Sequence, residues 1–380
     1  MHRQTTAGRD GNARVVQLVD LLGELGPDVP EISRRLGQFK ESVRYRYKEK
    51  ILGRGFAVQA AVDHERLGLK RMMVILDFNK DFGVFAQSIL EAMNELCYLV
   101  SYARTLPGGQ YVVNVSAPLE FFDEIGRFFV SMRDKGMFSR LEILEFDWFR
   151  RVPMKADFYD FSTGRWDFDW SGQAPTDFAS ASYQPSTATK FDQLDLLIIK
   201  EMQMDANKSM KEISESLGLS YKKLVWHYVT HVRGRGMIRG YSVNWMGTRY
   251  DHRAERALNK KHRYFALELF VKDVSEYETM ALRREMDKLP FLWTEAAGRN
   301  YFAEFAFPVE SMIEGLQLIS SATANVKERT QIQIIDQTGA SGFTIPYALF
   351  DSDRKAWVFD RAGLTAKFES LLIKVKSGTT

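Results

Sequence analysis

Apolar positions along this chain follow helical spacing first and strand alternation afterwards, and that order runs twice from end to end. In the second run Leu194, Leu197, Ile198 and Met202 share one helical face. Ser209 and Glu212 then stand three apart ahead of Ile213 and Leu217, a capping box in which each side chain reaches the other residue's backbone N–H. Gly218 breaks this short helix, and Ser220 is placed to cap a third. The first run repeats the logic with Asp28, Glu31, Ile32, Leu36 and Gly37. Two short helices around a glycine turn, with strand-like residues 56–63 or 237–245 after them, predict a helix-turn-helix with a short β wing in each run.

Beyond each wing the chain reads as β-α-β-β-α-β. In the first run the strands are 71–78, 98–105, 110–117 and 141–147, with helices over 82–96 and 119–133. The second run gives the same order from residue 264 through 337. This is the pattern of a split-βαβ, ferredoxin-like sandwich with its helices on one sheet face. Each run closes with a hairpin-like segment, its clearest turn at 162–165, and residues 366–376 read as an amphipathic helix packed on the body.

The two runs are copies. Residues 31–57 align with 212–238 without a gap, Gly53-Arg54-Gly55 on Gly234-Arg235-Gly236. Farther on, Tyr111 and Pro118 match Tyr301 and Pro308, and Trp166, Phe168 and Asp169 match Trp357, Phe359 and Asp360. The chain is therefore a tandem duplication of a unit of about 150–175 residues. The fold class is α+β, with helix-turn-helix domains at 12–62 and 190–246, sandwich domains at 70–170 and 262–376, and a Ser/Ala/Thr/Pro-rich linker at 171–189.

Composition narrows the setting. The formal charge of +3 over 380 residues is close to neutral, so a nucleic-acid reading must rest on local clusters. A single cysteine, Cys97, excludes a disulfide framework and a cysteine-rich zinc site, and its neighbours Leu96, Tyr98 and Leu99 read as core. No apolar run is long enough to span a bilayer, and the first 14 residues read as a short disordered lead, not a signal peptide. A cytoplasmic protein without cofactor or metal is expected.

Local clusters do occur. Lys40, Arg44 and Lys48 fall four apart opposite the apolar stripe Val43, Tyr47 and Ile51, with Arg54 just beyond. Lys222, Lys223, His227, Arg233 and Arg235 occupy the second third helix and its exit. Such cations neutralise phosphates, and arginine can grip guanine through two hydrogen bonds. His227 and His231 stand four apart, but no third ligand is near them in sequence, so a metal site is not expected. A basic stretch at 248–263 has no counterpart in the first run.

At these motifs the chain resembles the Lrp/AsnC (feast/famine) family of prokaryotic transcriptional regulators, most sharply through Leu194, Asp195, Ile198, Asp205, Glu212, Gly218, Leu219 and Ser220. Departures are His227 where the family usually carries arginine, Arg14 in the position of Asp195, and one extra residue before each wing. The resemblance implies winged helix-turn-helix units bound to double-stranded DNA, and RAM-like effector domains that pair as a pseudo-dimer within the chain, with homodimerisation of whole chains left open. It places an effector near the turn between the central strands, at Gly108, Gln110 and Tyr111 and at Gly298, Arg299, Asn300 and Tyr301. Arg299 suits a carboxylate and no acid faces an ammonium, so an anionic or neutral effector is expected. The reading is a sequence-specific DNA-binding regulator, not an enzyme. The alternative is an enzyme like the siroheme decarboxylases, which resemble paired units of this kind.

Overall fold

The computed structural model describes residues 6–170, 186–246 and 264–377. The basic stretch at 248–263 and most of the linker lie outside the described residues. The first half begins with α1 (Thr6–Leu25), α2 (Val29–Leu36) and α3 (Lys40–Arg46), and then β1 (Ala57–Val62). α1 starts inside the stretch expected to be disordered. Its stripe of Val15, Leu18, Val19 and Leu22 is buried. The Asn12 amide also fixes its first turns, donating to the Tyr159 carbonyl at 3.2 Å and accepting from the Phe161 N–H at 2.8 Å. Then come β2 (Leu69–Phe78), α4 (Ala86–Leu96), β3 (Leu99–Leu106), β4 (Tyr111–Pro118), α5 (Phe122–Asp134) and β5 (Phe138–Glu145). The half closes with β6 (Trp148–Arg151) and the small hairpin β7 (Tyr159–Asp160) and β8 (Arg165–Trp166).

The second half repeats this order. It has α6 (Gln193–Met204), α7 (Met210–Ser216), α8 (Tyr221–His227) and β9 (Ile238–Asn244), then β10 (Tyr264–Val271), α9 (Glu276–Met286), β11 (Leu292–Ala297) and β12 (Tyr301–Pro308). It ends with α10 (Met312–Ala322), β13 (Thr330–Gly342), the hairpin β14 (Phe350–Asp351) and β15 (Ala356–Trp357), and α11 (Arg361–Ser377). Ser209 and Glu212 form the expected capping box at α7. At α11, Leu364, Phe368 and Leu372 are buried, and Phe368 packs edge-on to Phe128 of α5 at 5.4 Å.

The extra residue before each wing is absorbed as one wide π turn, Tyr47–Ile51 in the first half and Tyr228–Arg233 in the second. A glycine must come after that turn. A Cβ on Gly234 would lie 2.6 Å from the Thr230 carbonyl oxygen, and one on Gly53 3.0 Å from that of Lys48. Gly234→Ala is expected to cost about 1–3 kcal/mol in urea unfolding. Gly11→Ala, within α1 and with nothing within 4 Å of its Cβ, is the control, expected to stabilise by about 0.5–1 kcal/mol.

The halves are interlocked. Each wing is a single strand, and the two pair antiparallel with each other, Val58 against Val243 and Ala60 against Tyr241. The sandwich strands join into one nine-stranded sheet in the order β5-β2-β4-β3-β13-β10-β12-β11-β6. The join is β3 against β13, where Ile334 faces Leu106 and Asp336 faces Arg104. β6 leaves its own half and edges the other half's β11, with Arg151 opposite Thr294. The closing hairpins cross over as well. The Trp357 indole donates to the Leu67 carbonyl at 2.8 Å, and Trp166 packs on Trp245 and Phe291 with ring centres 5.4 and 5.1 Å apart. Accordingly Ile198, Ile213 and Leu224 of the second helical unit share a core with first-half residues Leu69 and Met72.

Candidate active site

A cavity of about 460 Å³ opens where the paired wings meet the sheet. That volume is within the usual range for small-molecule sites. It is lined by the end of β1 and the turn after it (Gln59–Glu65), by the start of β2, by the β5–β6 connection, and by Thr294, Phe302, Glu304 and residues 342–345 from the second half. Aromatic rings (Phe146, Trp148, Phe149, Phe302 and Phe343) alternate there with the cations Lys70, Arg71, Arg150, Arg151 and Arg239. The acids Asp63, Glu65, Asp147 and Glu304 also reach it.

His64 is the titratable centre of this wall. Asp63 caps the turn that carries it, accepting from the Glu65 and Arg66 N–H groups at 3.1 and 3.2 Å. The imidazole Nδ1 lies 2.6 Å from Oγ of buried Ser116 on β4, and its Nε2 lies 2.9 Å from Nη2 of Arg71 on β2. A guanidinium only donates, so Nε2 carries the lone pair and Nδ1–H donates to the serine. Removal from water, with the nearby Arg71 and Arg239 cations, holds the imidazole well below its ordinary pKa, so it is neutral at pH 7. Arg71 is clamped in turn, its guanidinium 3.8 Å above the Phe149 ring. Arg239 on β9 pairs with Asp63 at 2.7 Å and reaches Glu65 at 3.6 Å, and Ser186 donates to the same Asp63 oxygen at 2.7 Å. Arg151 lies over the Trp293 ring at 4.9 Å, on the second-half side of the cavity. The arrangement is a neutral imidazole among fixed cations and flat apolar faces, suited to holding a planar polyanion and moving a proton beside it.

The duplication makes this site one-sided. Leu69 pairs with Pro118 as Tyr264 pairs with Pro308, so Arg71 corresponds to Ala266 and Ser116 to Ala306. The ungapped frame sets His64 against Trp245. Trp245 is buried and packs on Trp293 with ring centres 5.0 Å apart. Indoles therefore fill, in the second half, the position that the imidazole holds in the first.

None of the effector residues read from the sequence lines this cavity. Gly108 lies in an exposed turn, Gln110 reaches Asp77 at 3.4 Å, and Tyr111 packs edge-on to Phe78 at 5.5 Å. Gly298 abuts Asp147, Arg299 pairs with Asp273 at 2.6 Å, and Asn300 accepts from the Asp273 N–H at 3.3 Å. Tyr301 is fully buried and donates to Glu295 at 2.7 Å, which removes it from any ligand. Among the cations read as DNA contacts, Lys40, Arg44, Lys48, Lys222 and Lys223 are exposed. The others hold the fold: Arg54 donates to the Ser162 carbonyl at 2.7 Å, Arg235 to that of Lys190, and His227 is buried against Asp195.

No family model matches the chain, and no curated protein matches it by sequence. By fold, it is similar to the solved structure of the siroheme decarboxylase NirDL, with a TM-score of 0.52 at 12% identity over 96% of this chain and 99% of that one. The same enzyme in co-complex with an iron-uroporphyrin III analogue gives a TM-score of 0.49 at 11% identity over 98% and 100% of the two chains. These findings correct the sequence reading. The solved fold that spans the whole chain is that of an enzyme, so the identification as an Lrp/AsnC transcriptional regulator, the DNA-binding function, the duplex DNA partner and the exclusion of an enzyme are all overturned. The exposed cations Lys40, Arg44, Lys48, Lys222 and Lys223 form a short charge pattern, which a solvated helix face carries as readily as a DNA contact, and that is why it misled. The mixed α+β class with a large antiparallel sheet stands. Among the described residues, no helix is long and apolar enough to cross a membrane.

Proposed function

We propose that the chain is an enzyme that decarboxylates a tetrapyrrole of the siroheme kind, built on two winged helix-turn-helix units and two ferredoxin-like units with the boundaries read from the sequence. The observation that carries this reading is the His64–Arg71 pair, braced from behind by buried Ser116, on the wall of a cavity of cations and aromatic rings. The full-length likeness in fold supports it. Cations suit the carboxylates of such a macrocycle, and flat rings suit its faces. Decarboxylation releases carbon dioxide and replaces the broken carbon–carbon bond with a carbon–hydrogen bond, so the site must deliver one proton. His64 is the group placed to do so. A substrate carboxylate that draws Arg71 off the imidazole Nε2 and offsets Arg239 removes the two cations that add to burial in lowering the imidazole's proton affinity, and it frees Nε2 to take up a proton. Binding itself then loads His64 with the proton it donates.

The reading is tested by adding an iron tetrapyrrole polycarboxylate to the purified protein. A shifted Soret band and products shortened by carbon dioxide in mass spectra are expected, and an unperturbed spectrum with unchanged substrate refutes it. The loading step has its own signature. Titration calorimetry near pH 7, in buffers of different ionisation enthalpy, is expected to show proton uptake on ligand binding in the parent protein and none in His64→Gln. Equal uptake in both would assign the proton elsewhere.

A further inference from the structure

A second cluster of chemistry-bearing side chains lies in the second helical unit, and none of its members lines the cavity. The Asp195 carboxylate is fully buried at the start of α6. His227 at the end of α8 sets its Nδ1 2.9 Å from Asp195 Oδ1, and His231, from the π turn, sets its Nδ1 3.1 Å from Oδ2. Asp192, the residue capping α6, brings an oxygen to 3.7 Å from the His227 Nδ1. One ligand atom from each of the four residues lies within 4.8 Å of the others. Ligand bonds of about 2.0–2.2 Å in tetrahedral zinc place ligand atoms roughly 3.3–3.6 Å apart, so the contacts at 2.9, 3.1 and 3.7 Å match within about 0.4 Å and the wider ones, up to 4.8 Å, close in when a metal binds. We infer that Asp192, Asp195, His227 and His231 form a binding site for a divalent transition-metal ion of the zinc class.

Two features separate this cluster from a plain hydrogen-bond network. First, both imidazoles turn the same nitrogen inward, with ring centres 4.8 Å apart and planes at 74°, so they approach one point from two directions. His231 stands four residues after His227, the spacing that sets two side chains on one helical face. Second, beyond the capping box that Asp192 and Asp195 form at the start of α6, the fold does not need the cluster. The first half builds matching helices and a matching π turn with Arg14, Arg46 and Lys50 at the positions of Asp195, His227 and His231. Three cations stand there in place of three ligands. With four protein ligands the site is closed, so its role is to brace α6 against α8, away from the chemistry. Sequence spacing shows only the histidine pair, because the carboxylates come from the start of α6, two helices earlier, and meet it through the fold.

The test uses the full-length protein stripped with chelator and then given zinc sulfate. One equivalent is expected to bind and raise the melting temperature. Cobalt(II) is expected to give the visible absorption of a tetrahedral site. His231→Ala and the more exposed Asp192→Ala are expected to weaken zinc binding more than roughly 100-fold, beyond what outer-shell partners cost. His64→Gln is expected to bind zinc like the parent. Identical melting with and without zinc, or a zinc response that persists in both ligand variants, overturns the assignment.

Discussion

On the proposed function, replacing His64 with glutamine is expected to lower the decarboxylation rate by about 10²–10⁴-fold while leaving binding of the tetrapyrrole within a few-fold. Glutamine can keep a polar contact to Ser116, but it has no group that gains and loses a proton near neutrality. The imidazole meets the macrocycle as one polar group on a wide wall, so its loss removes a proton donor, not a holding surface. Arg71→Met is expected to behave differently. It removes a cation that faces both the imidazole and the bound carboxylate, so affinity falls and the His64 pKa rises in the free protein. Single-turnover rates and binding titrations on the two variants check the split. Equal loss of binding in both would place His64 among the holding residues and take away its role as donor.

Glu295→Ala is expected to destabilise the protein by about 3–5 kcal/mol, read as a lower urea midpoint at unchanged slope. Glu295 on β11 is fully buried and meets Arg150 of β6 at 2.6 Å, Arg283 of α9 at 3.6 Å and the Tyr301 hydroxyl at 2.7 Å. Truncation leaves two guanidinium groups without their central acid, Arg283 mostly buried and Arg150 facing the cavity. Arg150 retains only the more distant Asp287, at 3.6 Å. Because β6 comes from the first half, the loss is felt across the seam, and one cooperative transition is expected before and after the change. A cost under about 1 kcal/mol, the size for exposed pairs, would show that the network is solvated in solution.

The duplicated order of helices and strands was legible because it rests on local signals. Capping boxes, glycine stops and period-two alternation are written within a dozen residues of the element they specify. β6 was not legible. Trp148–Arg151 is four residues long, and it is a strand because β11 of the other half offers it an edge. The cavity failed to show for the same reason, since its walls come from both wings, sheet strands of both halves and the β5–β6 connection. One signal did exist. Aligning the halves sets Asp63-His64 against Asn244-Trp245 and Arg71 against Ala266, a change of chemistry where copies of a core should agree. The central-strand turns instead drew attention through the family resemblance, and burial of Tyr301 closes one of them.

The seam between β3 and β13 also sets a schedule for synthesis. β3 is finished at Leu106, whereas its neighbour β13 begins only at Thr330. At 5–20 residues per second the ribosome needs roughly 10–45 s to make the intervening chain. Through that interval β3 has β4 on one side and an open edge on the other, the kind of edge that recruits strands from other nascent chains. Leu106 and Arg104 are exposed at that rim. The cell therefore handles a half-built sheet with one unpaired border each time this protein is made, and faster elongation between residues 106 and 330 shortens the exposure.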